Sequence, residues 1–142
     1  DSLLTGFGVP LPQTDAVERA LHTACHMQRK FQPLAQRWQR EHSIDVGLGI
    51  GVNRGKVIVG NIGSPTYMSY TVIGDAVNVA ARLTQQAQHN QILLSETCVA
   101  DASDLVRRFH TRSLPAMALK GKAVPIPVLE IPQSAWRSET PL

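Results

Sequence analysis

Asn78 and Arg82 stand four residues apart in the run GDAVNVAARL, so a helix there projects both side chains from one side, away from a stripe of Ala76, Val79 and Leu83. Periodicity alone makes that side a solvated face. Chemistry enters because a guanidinium is a fixed fork for phosphate oxygens and an asparagine amide orients a hydroxyl. His22, Cys25 and His26 share one helical turn and carry zinc-ligand chemistry on paper. With no fourth ligand evident, and Cys25 bordering an apolar stripe, they read as an ordinary helix surface. The run GLGIG, Gly47 to Gly51, has the spacing GxGxG and feeds a predicted hairpin, not a helix N-terminus, so it is no dinucleotide fingerprint. There is no GxxxxGK[ST] either, and any triphosphate must be held by other means.

The elements that position these residues follow from periodicity and breakers. Ser2 to Phe7 reads as a short strand ended by Gly8, Pro10 and Pro12. Thr14 then caps a helix in which Val17, Leu21, Ala24, Phe31, Ala35 and Trp38 recur at helical steps, with a kink expected at Pro33 and an end near His42. From Asp45 to Asn53 the alternation is strict. Val46, Leu48, Ile50 and Val52 take one face, while Gly47, Gly49 and Gly51 on the other predict close approach by a backbone, a helix or a ligand. A turn at Asn53, Arg54 and Gly55 predicts a hairpin into a strand over Lys56 to Gly60, followed by irregular chain to Ser69. Asp75 caps a second helix running to about Gln88. Ile92 to Leu94 reads as a strand, Glu96 to Ala100 as a helical turn, and Val106 to Leu119 as a strand pair or strand and loop. Pro125 to Ile131 reads as an edge strand because of its prolines, and residues 133–142 as a flexible tail after a domain of residues 1–132. This order predicts an α+β fold, a ferredoxin-like antiparallel sheet with helices packed on one face.

The chain has 142 residues, enough for one ordinary domain, and at 43% hydrophobic and 18% charged it can bury a core. Its longest apolar run, Val46 to Val52, is far short of the roughly 20 residues that span a bilayer. Residues 1–10 lack the pattern of a signal peptide, and two distant cysteines form neither a CxxC nor a disulfide framework, so a reducing, cytoplasmic setting is expected. A net charge of +3 permits acidic partners. Scattered Lys and Arg and few aromatics argue against nucleic acid.

The stretch GIGVNRGKVIVGNIGSPTYMSYTVIGDAVNVAARL, Gly49 to Leu83, closely resembles the core of the class III nucleotide cyclases, the adenylyl and guanylyl cyclases. DSLLTGFGVP, Asp1 to Pro10, looks like that family's metal-binding hairpin, and LKGKAVPIPVLEI, Leu119 to Ile131, like its C-terminal strands. The resemblance implies a role for several positions. Asp1 matches the second of two aspartates that hold two Mg2+ or Mn2+ ions. Thr71 matches the position that hydrogen-bonds the purine, Asp or Thr in adenylyl cyclases and usually Cys in guanylyl cyclases. Asn78 matches the asparagine that positions the ribose, Arg82 the arginine that stabilises the transition state, and Lys120 the lysine on the terminal phosphates. Lys122 and Asp75 read as structural.

The implied reaction is conversion of ATP to cyclic AMP and pyrophosphate by in-line attack of the 3′-hydroxyl on the α-phosphate, with one metal lowering the hydroxyl's pKa and the other neutralising the leaving group. The implied assembly is a head-to-tail homodimer whose sites take the metal aspartates from one protomer and Asn78 and Arg82 from its partner. The family's first strand and two helices, its first metal aspartate and its purine-reading lysine have no counterpart in this sequence. The chain is therefore expected to be the C-terminal larger part of a catalytic domain, inactive alone and attached to an upstream sensory or regulatory domain. Two alternatives stand beside this: a non-catalytic cyclase-like dimerisation or regulatory module, and a guanylyl cyclase, which Thr71 disfavours.

Overall fold

The computed structural model describes residues 2–100 and 103–138. The first long element is α1 (Ala16–His42), whose Leu21, Ala24, Cys25 and Gln28 are buried. It starts one residue later than a Thr14 cap would place it, with Asp15 at the cap position making no side-chain capping bond. Pro33 lies within the helix without ending it; the residue is exposed, so the missing backbone donor falls on the water side. At the C-terminus Ser43 adopts the left-handed conformation (φ 54°), and its N–H bonds to Gln39 O at 3.1 Å. Ser2 to Phe7 forms no strand.

After α1 come β1 (Ile50–Val52), β2 (Ile58–Ser64), β3 (Tyr67–Ile73), α2 (Asp75–Gln86) and β4 (Ile92–Ser95), then a 3₁₀ turn over Glu96–Cys98. The chain continues with α3 (Ser103–Arg108), β5 (Arg112–Met117), β6 (Ile126–Ile131) and α4 (Gln133–Ser138). Strands order β1-β4-β6-β5 in one sheet, while β2 and β3 pair only with each other. The α+β class holds, with two differences from the expected layout. β1 and β4 run parallel, Gly51 opposite Leu93. The helices also cover both faces. Ile92 and Leu94 of β4 join α1, α3 and α4 in one core, with Leu21, Phe109 and Trp136, whereas Leu93 joins Val79 and Leu83 of α2 in another. All four β4 residues are buried, as a strand between two helical layers requires.

The glycine face of β1 is where α2 lies. A Cβ on Gly51 would sit 2.4 Å from Thr84 N and 2.5 Å from Ala80 O, and one on Gly49 2.9 Å from Ala87 O. The side-chain-free face thus admits a helix backbone, as its alternation predicts. The Asn53–Gly55 turn makes no hairpin, because β1 pairs with β4; the hairpin is β2–β3, through the segment expected to be irregular. Val106 to Arg108 is helical, not strand.

β6 is an interior strand, not the edge strand its prolines predict. Its ladder with β4 stops at Val128, and on the β5 side the register shifts between Leu114 and Met117. Pro127 and Pro115 both fall where that ladder is irregular, so neither removes a needed bond. The segment from Gln133, expected as a tail, forms α4 and buries Trp136 completely beside Leu21 and Cys25. Residues 139–142 lie outside the described residues.

Candidate active site

The site is built around α2. Gly74, at φ 149°, is the residue that turns β3 into the helix, and its carbonyl accepts the N–H groups of Val77 (3.1 Å) and Asn78 (3.4 Å). Asp75, expected as the cap, is the first residue of the helix and instead forms an ion pair with Lys122. With Val79 and Leu83 buried against β4, Asn78 faces solvent and Arg82 is half-buried one turn on, its Nη1 donating to Gln85 Oε1 at 3.2 Å. Helical spacing therefore places both groups on one side of α2, Asn78 exposed and Arg82 half-buried.

Thr71 and Lys120 lie on other elements. Thr71 pairs with Gly60 in the β2–β3 hairpin, is half-buried, and lies three residues before the Gly74 turn. Lys120 is exposed in a turn closed by Lys122 N–H to Leu119 O at 3.0 Å, with Gly121 supplying the positive φ (86°) at its third position. Leu119, buried against Val79 and Leu83, anchors one side of that turn, and the Lys122–Asp75 pair ties the other to the start of α2. Lys122 and Asp75 are thus paired with each other at the start of α2. Among the described residues Thr71, Asn78, Arg82 and Lys120 make no hydrogen bonds with one another. Asp1 lies outside the described residues.

A cleft of about 420 Å³ opens beside the first turn of α2, with Asn53, Arg54, Lys56, Ser95 and Lys122 on its walls. Neither Asn78 nor Arg82 lines it. Its polar wall was missed in the sequence, where Asn53 reads only as a turn residue. Asn53 Nδ2 donates to Ala76 O (2.9 Å) in α2, and its Oδ1 accepts from Ser95 Oγ (2.5 Å), with Thr97 Oγ1 3.2 Å away. Beneath them Cys98 Sγ lies 3.6 Å from Ser95 Oγ and from Val52 O. Burial, the largest influence, pushes the Cys98 thiol pKa above its ordinary value, so the group remains a neutral donor.

Residues 1–129 match the family described as Adenylate and Guanylate cyclase catalytic domain. This chain belongs to that family. It is 36% identical over 124 residues to an adenylate cyclase of Anabaena cylindrica, covering 79% of this chain and 24% of that protein. It is 29% identical over 114 residues to the terminal-differentiation specific adenylate cyclase of Dictyostelium discoideum, covering 79% of this chain and 5% of that protein. Among solved structures it is similar to the adenylyl cyclase CyaB of P. aeruginosa, with a TM-score of 0.75, 29% identity and coverage of 88% of this chain and 64% of that one. The guanylyl cyclase Cya2 is as near, at TM-score 0.74 and 31% identity, covering 88% and 62%. The chain spans a quarter or less of these curated relatives and under two thirds of these solved chains.

For this class III cyclase domain the divalent ions implied by the family need hard oxygen donors gathered at one point. Among the described residues no group of three or more His, Cys, Asp or Glu could hold an ion. The described residues therefore do not supply a fitting donor set, and His22, Cys25 and His26 form none either: Cys25 is fully buried in the core while His26 is exposed. Among the described residues no helix is long and apolar enough to cross a membrane.

Proposed function

We propose that this cyclase domain serves an adenylyl cyclase that converts ATP to cyclic AMP and pyrophosphate at a site shared between two copies of the chain. The observation that carries the proposal is the presentation of Asn78 and Arg82 together on one side of a helix fixed to the sheet, with Lys120 tied to the same helix through Leu119 and Lys122. A bond forms between the 3′-oxygen and the α-phosphorus, the bond to the bridging oxygen breaks, pyrophosphate leaves, and the hydroxyl proton goes to solvent. Arg82 faces the charge that grows on the α-phosphate, Lys120 the terminal phosphates, and Asn78 the ribose. No covalent nucleophile is needed, so positioning and charge compensation account for the residue types.

Thr71 carries the choice of base, since relatives named for either nucleotide are similarly near. Its hydroxyl donates and accepts, which suits the amino edge of adenine. In the whole protein, kcat/KM for ATP is expected to exceed that for GTP, and Thr71→Cys to narrow the preference without making GTP a good substrate. A higher kcat/KM for GTP would overturn the assignment, and no turnover of either nucleotide would leave the chain a non-catalytic module.

A further inference from the structure

We propose that Asn53 is a positioning residue for the cyclase reaction, a clamp that sets the rotation of α2 and hence where Asn78 and Arg82 meet the nucleotide. This rests on the reading of α2 as the carrier of those two groups. β1 and Asn53, the residue after it, hold α2 at two points that bracket them. Near the start, Asn53 Nδ2 donates to Ala76 O at 2.9 Å. Further along, Gly51 N–H donates to Thr84 Oγ1 at 3.1 Å, and that hydroxyl donates to Ala80 O at 3.0 Å. The second anchor ends on a helix side chain, whereas the first ends on the helix backbone and is braced from behind.

The brace is the hydroxyl pair at the end of β4. Ser95 is buried and has one hydrogen, which goes to Asn53 Oδ1 at 2.5 Å; Thr97 then has its own hydrogen free for Arg54 O at 3.0 Å. Turning the Asn53 amide over would set its oxygen against the Ala76 carbonyl, so the network admits one orientation. The rotation matters because a side chain about 6 Å from a helix axis moves about 1 Å for every 10° of turn, and a misplacement of about 1 Å costs on the order of 10²-fold in rate.

Asn53→Asp tests the clamp in the whole protein. It keeps the acceptor for Ser95 and replaces the donor to Ala76 by an oxygen. We expect kcat for ATP to fall at least tenfold with KM within threefold. The discriminating readout is mixing. In a shared site the Asn53→Asp protomer spoils only the half that α2 supplies, so mixing it with Asp1→Asn is expected to restore activity and mixing it with Arg82→Ala to leave the mixture inactive. Recovery with Arg82→Ala, or none with Asp1→Asn once heterodimers are shown to form, overturns the clamp. Arg82→Ala mixed with Asp1→Asn is the reference. If that mixture stays inactive the shared-site reading falls, and the clamp is judged on kcat against the core variant Ile131→Val, a loss under threefold overturning it. Should Asn53→Asp not fold, Ser95→Ala removes only the brace, and an unchanged kcat in that variant overturns the proposal.

Discussion

Arg82 sits half-buried on α2 with a single neutral partner, Gln85, so truncating it disturbs little that holds the fold. Arg82→Ala in the whole protein is expected to lower kcat by about 10²–10³, the typical cost of losing one preorganised charge-stabilising donor. Its stability is expected to change by no more than about 0.5 kcal/mol. Steady-state kinetics beside a urea titration checks both; a stability loss that accounts for the rate loss would remove Arg82 from the chemistry. Cys98 is the opposite case in burial, with its side chain fully enclosed. Because burial raises its pKa in the folded state, the unfolded chain releases the thiol proton first. The thiol's contribution is full below the unfolded pKa of about 8.5 and declines as pH rises from there toward the folded value. Urea midpoints at pH 7 and 9.5 should therefore show the stability gap between wild type and Cys98→Ala narrowing at the higher pH. A constant gap would mean that the thiolate is tolerated.

Among the elements, the contact between β1 and α2 decides most. A methyl group at Gly51 would meet helix backbone, not flexible side chain, and so α2 itself must move. Gly51→Ala is expected to cost about 1–3 kcal/mol, the range for overpacking, and to reduce activity by displacing Asn78 and Arg82. Gly60→Ala in β2 is the comparison, since a Cβ there meets nothing within 4 Å. It should leave the urea midpoint almost unchanged. Equal effects at the two positions would show that the helix does not press on Gly51. This contact was legible in the alternation of Val and Ile with glycine, because a row of absent side chains has a local signature. The hairpin was not: Asn53, Arg54 and Gly55 have turn chemistry, yet the Asn53 side chain is taken by Ala76 and Ser95, and the strand before it by β4.

For the whole molecule, a site shared by two copies ties activity to concentration. On dilution through the dimer's dissociation constant, specific activity should fall in step with the dimer fraction measured by light scattering. Activity that persists in monomers would refute sharing. The packing of α4 belongs to this scale too. Trp136 lies in the same core as Leu21 and Phe109, and Arg29 Nη1 donates to its carbonyl at 3.2 Å, so residues more than a hundred positions apart close one face of the sheet. Trp136→Ala should cost about 3–5 kcal/mol, read as a shift of the urea midpoint. A tail that merely frays would show no shift.

Residue types and short spacings by themselves determined the pairing of Asn78 with Arg82, the buried stripe of Val79 and Leu83, the glycine face of β1 and the resemblance that led to the cyclase family. Each depends on neighbours within a few residues, where helical and strand periods act directly. Only the tertiary structure decided that β1 runs parallel to β4, that β6 lies inside the sheet with its prolines at an irregular stretch, that α4 is packed, and that Asn53 holds α2. Strand partners and buried polar contacts join residues tens of positions apart. Their choice depends on which surfaces remain to be buried once the whole chain is closed, a competition that no local pattern records.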